Sequence, residues 1–225
     1  MPLEPILNQD TTLLFVALNP DEFSGKTGHH FARNEIFWDS LFFSDLTTEA
    51  HDMKEYLCNM HLVETIAKIK GKPADVTVFK GSEYNAHNWV YSIDYLVPDV
   101  FESNVQKVSV QLNHSAELLK TLKKLQPAFC VLLHTVIREE FVDRFLKREN
   151  KLNREELARS VPERERALLD APKIGKENGP LGRIIKDLDT YFLTIPAPNH
   201  RYGNDEAHRQ NWKVVLNTIE RVMVI

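Results

Sequence analysis

Cysteine is scarce in this chain: Cys58 and Cys130 are the only two among 225 residues. Two thiols cannot supply the four ligands of an iron–sulfur cluster, and their apolar neighbours make free, buried thiols the expectation. No apolar run approaches the ~20 residues needed to cross a bilayer. Met1-Pro2-Leu3-Glu4 lacks the basic-then-apolar opening of a secretory signal. The expectation is therefore a cytoplasmic protein with no membrane partner. A basic excess is missing too: 28 Lys and Arg face 32 Asp and Glu, for a net charge of −4. That balance speaks against a broadly basic nucleic-acid surface and leaves room only for a local basic face. Internal repeats and low-complexity segments are also absent.

Hydrophobic residues make up 43% of the chain and charged residues 27%, enough to bury one sizeable core, so a single domain over 1–225 is expected. Four apolar, β-branched or aromatic runs read as core strands: 13–18, 89–96, 128–133 and 191–195. Between them the pattern predicts helices near 35–44, 49–69, 115–125 and 136–148, a short helix over 182–188, and a terminal helix over 205–222 that Asp205 would cap. Residues 76–79 read as a short strand or extended loop, 105–110 as an edge strand, and 1–12 as a leader of undefined structure. The charge-dense tract 144–178 reads as an insertion, either an exposed helix with i,i+4 pairs or a lid that meets a partner. Alternating strands and helices imply right-handed crossovers. The fold class is α/β, a three-layer αβα sandwich around a short, mostly parallel, four-stranded sheet.

The stretch 13–38 organises the rest. Its apolar run ends abruptly at Asn19-Pro20, because Pro20 has no N–H to continue a ladder. A loop with Ser24, Gly25 and Gly28 leads to His29-His30-Phe31, and a helix begins near Glu35. Polar loops at the carboxyl ends of parallel strands are where open α/β sheets bind ligands. An asparagine before proline also simply turns a chain, and a phenylalanine after two histidines also simply packs in a core.

The order of these residues resembles the uracil-DNA glycosylase superfamily, most closely its mismatch-specific uracil and thymine-DNA glycosylase branch. The matching positions are Ala17-Leu18-Asn19-Pro20-Asp21, Gly28-His29-His30-Phe31 and Phe37-Trp38. A second match lies at the last strand's end, in Ile195-Pro196-Ala197-Pro198-Asn199-His200-Arg201. The resemblance implies a monofunctional DNA glycosylase of base-excision repair, monomeric, with no metal and no organic cofactor. Its partner would be damaged or mismatched DNA from which a pyrimidine is flipped. Asn19 would hold the attacking water by its carbonyl, since an amide does not titrate near neutrality, and His30 would assist. Leu18, Asp21, Phe31 and Asn88 would surround the base, Phe31 by stacking and Asn88 by reading the edge with its amide. Asn199, His200 and Arg201 would fill the gap left by the extruded nucleotide. Arg201, His208, Arg209 and Lys213 would form the local basic face.

Several positions depart from the family pattern. Asp21 replaces a glycine or tyrosine that guards the base's 5-substituent. Ile195 stands where another branch has a histidine donor. His134-Thr135-Val136 replaces an Asn-Gly-Lys-like segment. Two other functions keep the same fold: a glycosidase for free nucleosides or nucleotides, and a catalytically weak protein that binds DNA damage.

Overall fold

A computed structural model describes residues 3–52, 66–100, 109–149, 151, 179–199 and 204–223. In chain order they form β1 (Leu13–Ala17), α1 (Glu22–Thr27), α2 (Glu35–Phe43), β2 (Lys68–Ile69), β3 (Lys72–Pro73), α3 (Ala74–Phe79) and β4 (Tyr91–Tyr95). There follow α4 (Leu112–Leu125), β5 (Phe129–Leu132), α5 (Thr135–Ile137) running on as a π-helical stretch Arg138–Leu146, β6 (Gly179–Gly182), β7 (Tyr191–Thr194) and α6 (Asp205–Met223).

Five strands make one sheet in the order β4-β1-β5-β7-β6; the first four are parallel and β6 is antiparallel at the edge. All five residues of β1 are buried. Because side chains alternate along a strand, Leu13, Phe15 and Ala17 join one apolar cluster and Leu14 and Val16 the other. On the first face lie Phe37 and Trp38 of α2, Val78 and Phe79 of α3, and Trp212, Val215 and Ile219 of α6. On the second lie Leu118, Leu119 and Leu122 of α4 with Phe141, Val142 and Phe145 of the π-helical stretch. This is the expected αβα sandwich, with one strand more than the four expected.

Local chemistry sets the element ends. The Asn34 side chain accepts the Phe37 N–H at 2.9 Å and so starts α2. Gln126, in the left-handed region at φ 47°, closes α4 just before Pro127. The leader is structured: Ile6 bridges Ile93 through two backbone hydrogen bonds of 3.1 and 3.0 Å. Asn8 clasps the same edge by donating to Phe79 O at 2.8 Å and Tyr91 O at 2.7 Å. The exposed side of β4 is thereby covered.

Several expected elements differ. Residues 76–79 are helical, because Pro73 and Asp75 open a turn that carries Val78 and Phe79 into the core. Residues 179–182 pair with β7 where a helix was expected from 182, and 68–69 are a strand rather than a helix end. The loop after Asn19 contains α1. Positions 53–65 of the expected second helix, most of the expected edge strand 105–110, and most of the charged tract lie outside the described residues. Cys58 lies outside them too, while Cys130 is free and buried, its thiol pushed well above the usual range by that burial.

Phe15 is fully buried and packs on Phe37, Phe79, Tyr91 and Trp212, with ring centroids 5.5–6.0 Å apart. Phe15→Ala should lower the unfolding free energy by about 3–5 kcal/mol, read from urea denaturation. A loss below about 1 kcal/mol would contradict this description of the core.

Candidate active site

Parallel strands deliver their carboxyl ends to one edge. Register aligns Val16 with Leu132 and Leu132 with Thr194, so Leu18-Asn19, Leu133-His134 and Ile195-Pro196 sit side by side just past β1, β5 and β7. Strand order reverses between β1 and β5, since the chain leaves β1 for β4 on one side and returns to β5 on the other. Ligand crevices of open α/β sheets form at such a reversal, and Asn19 and His134 flank it. The Asn19 amide donates to Pro20 O at 2.9 Å. No described residue donates to its Oδ1, which suits the holding of a water.

The sequence between Asn19 and Trp38 folds back onto this edge through caps and one buried carboxylate. Asp21 caps α1, with Oδ1 accepting the Ser24 N–H at 2.9 Å and Oδ2 the Ser24 hydroxyl at 2.7 Å. Gly28 ends that helix in the left-handed region at φ 72°. Asp75, 2% exposed, then gathers three donors: His29 Nδ1 at 3.0 Å, His30 N at 2.9 Å and Val76 N at 2.8 Å. His30 is equally buried, stacks on Tyr95 with ring planes 14° apart, and its Nδ1 meets the Tyr95 hydroxyl at 2.9 Å. Burial lowers the His30 pKa from 6.5 to about 4, against the opposing pull of Asp75 and a hydrogen bond with the Glu4 backbone. Burial also lifts the Tyr95 phenol well above its usual range, so its hydroxyl stays protonated beside His30. Beside this group a cavity of about 630 Å³ opens between leader residues 3–8 and Gly28, His29, His30, Asp75, Val76 and Lys80.

Several expected site residues are placed differently. Phe31, at φ 51°, does not present an open ring: it stacks on Phe37 with centroids 3.8 Å apart and is 8% exposed. Its face is spent on the core rather than left for a base. Asn88 is exposed in a 3-10 turn before β4, at the opposite edge of the sheet from Asn19. Five residues of strand separate those edges by about 17 Å, so one base cannot meet both. Both Asp21 oxygens are committed to Ser24, and its helix cap explains the aspartate without a base. His30, neutral and enclosed, cannot exchange protons with a ligand at neutral pH. Leu18 is half-buried, and its carbonyl accepts the Val97 N–H at 2.8 Å.

Asn199 lies at the Asn19 edge, its carbonyl accepting a hydrogen bond from His208 Nε2 at 3.0 Å. His200 and Arg201 lie outside the described residues. Of the basic face, His208 is 1% exposed and turned inward, while Arg209 covers the Phe43 ring at 3.8 Å. Among the described residues no three His, Cys, Asp or Glu side chains converge to hold a metal, and no helix is long and apolar enough to cross a membrane. Sequence reasoning missed Asp75 and Tyr95. The signal for Asp75 was an acid two residues after Pro73, at a helix start that the β-branched Val76-Thr77-Val78 disguised.

The depressed His30 pKa has a signed consequence. Between pH 6.5 and about 4 the unfolded chain binds a proton that the folded chain refuses. The contribution is complete above 6.5 and is lost as pH falls toward 4, amounting to about 3 kcal/mol. Urea denaturation followed across that range should show the loss, and His30→Gln should flatten this part of the slope. An unchanged slope would mean that His30 is solvated.

No family model matches this chain, and no curated protein matches it either.

Proposed function

We propose that this protein is a monofunctional DNA glycosylase that hydrolyses the N-glycosidic bond of a flipped uracil or related pyrimidine in base-excision repair. One observation carries the reading. Asn19 ends the central parallel strand beside the reversal of strand order, with its Oδ1 unclaimed by any described residue. The second motif, Ile195 to Asn199, arrives at that same edge.

Cleavage of a base–sugar bond passes through an oxocarbenium-like state, so the site must hold a water and stabilise charge rather than supply a strong nucleophile. Asn19 holds that water, and orientation and electrostatics do most of the work. Asn199, at the Asn19 edge, and the residues that follow it in sequence would fill the gap in the duplex. The base is read by groups other than Asn88 and the Phe31 face. DNA is the partner, bound as a cytoplasmic monomer, and no metal or cofactor takes part.

A second reading on the same fold has its own support. The open cleft beside His29, of about 630 Å³, is of small-ligand size, and the net charge of −4 suits a free nucleoside or nucleotide better than a polyanion.

An abasic-site assay at enzyme excess, on duplexes carrying uracil, mismatched thymine, hypoxanthine or 5-substituted uracils, should give product from at least one. Asn19→Ala should lower that rate by about 100-fold or more while leaving DNA binding intact. Turnover of free nucleosides with no DNA cleavage would favour the second reading. DNA binding without any cleavage would instead point to a damage-binding protein.

A further inference from the structure

Arg33 is exposed, and its guanidinium carbon sits 3.5 Å from the centroid of the Phe23 ring. So short a separation is possible only over the face of the ring, with the two planes stacked, where the cation meets the negative side of the ring's quadrupole. Among the described residues no carboxylate pairs with Arg33. The acids nearest in sequence are engaged elsewhere: Asp21 accepts from Ser24, Glu22 pairs with Lys26, and Glu35 acts on His51. Stacking occupies the face of the guanidinium and leaves its in-plane fork of N–H donors to solvent.

The stack stands beside the Asn19 edge for covalent reasons. Phe23 is four residues from Asn19, so their Cα atoms are at most about 14 Å apart, and closer because α1 is helical. Gly25 seats α1 on the segment after β4: a Cβ there would come within 2.5 Å of Val100 Cγ2. That segment is tied in turn to the end of β1, through the Val97 N–H and the Leu18 carbonyl at 2.8 Å. Arg33 is held to α1 by its neighbour Ala32, whose N–H donates to Ser24 Oγ at 3.3 Å, while the Ser24 hydroxyl donates to Asp21 at 2.7 Å. One serine thus links the residue after Pro20 to the residue before Arg33.

We propose that the Arg33–Phe23 stack is a phosphate clamp, which holds the backbone of a DNA strand at a nucleotide next to the one whose sugar sits at Asn19. This rests on DNA being the partner, as in the glycosylase reading, and not on cleavage. The guanidinium fork matches two phosphate oxygens and donates to both at once. The ring holds the fork in place beforehand, so less side-chain freedom is lost on binding. A chain with a net charge of −4 repels a polyanion as a whole, so the contact that retains one must be local.

The test is the salt dependence of binding to a uracil-bearing duplex, read by fluorescence anisotropy. Arg33→Gln should weaken binding about 5–10-fold at about 0.1 M salt and reduce the slope of log K against log salt by about 1. Lys123→Gln changes the net charge equally but lies in the last turn of α4, toward the amino end of β5, and should leave both unchanged. Arg33→Lys should keep the slope yet lose about 3-fold in affinity, because an ammonium cannot form the fork. Phe23→Leu should weaken wild-type binding and add nothing in the Arg33→Gln background. Equal slope and affinity in wild type and Arg33→Gln would overturn the clamp while DNA remained the partner. A wild-type protein with no salt-dependent DNA binding would overturn both. Free deoxyuridine 5′-monophosphate is the second probe: Arg33-dependent binding of it without duplex binding would give the stack to a free nucleotide and overturn the DNA assignment. If Arg33→Gln shifts the urea midpoint, Arg33→Lys decides, and an affinity equal to that of wild type refutes the fork.

Discussion

The burial of β1 on both faces is the constraint on which the molecule depends. Five consecutive buried side chains require a helical layer on each side, and the alternation along the strand divides them cleanly between two apolar clusters. A strand so enclosed has its hydrogen bonds taken by β4 and β5, and it can meet solvent only at its ends. Asn19-Pro20 ends it at the edge where the order of strands reverses. The position of the polar site thus follows from the most apolar segment of the chain, as it does in open parallel sheets generally.

A second constraint is the buried carboxylate of Asp75. An ionised group removed from water is costly unless hydrogen bonds compensate it, and here the His29 ring and two backbone N–H groups do so. The same contacts fix the turn 28–30 against α3, and the Tyr95–His30 stack fixes it against β4. The leader closes this corner from outside through its bridge to Ile93 and the clasp of Asn8. Three segments distant in sequence therefore hold one wall of a cavity. The two adjacent histidines leave it in opposite conditions, one enclosed and neutral, the other partly exposed with a ring nitrogen to spare.

Aromatic packing explains why motif order alone misassigns some side chains. Phe31 follows the histidines where an open stacking ring was expected, but Phe37, six residues on, takes its face. That pairing feeds the Phe15, Phe37, Phe79 and Trp212 cluster, whose apolar area favours adding one more ring to the core over leaving it exposed. Asp21 similarly has a local use as a helix cap, and Asn88 is carried to the far edge by the direction of β4. In each case residue type and spacing were right for several environments.

The sequence by itself determined the sandwich, the central strand and its end at Asn19, and the amphipathic helices expected over 115–125 and 205–222. Those features depend on local periodicity and on proline and capping chemistry, which act within a few residues. Tertiary structure alone decided that 74–79 is helical, that the leader adds to β4, that β6 joins the sheet, and that Asp75 holds both the His29 ring and the His30 backbone N–H. These outcomes depend on which distant groups approach a given side chain and exclude water from it, and neither the period of a pattern nor the order of a motif contains that information.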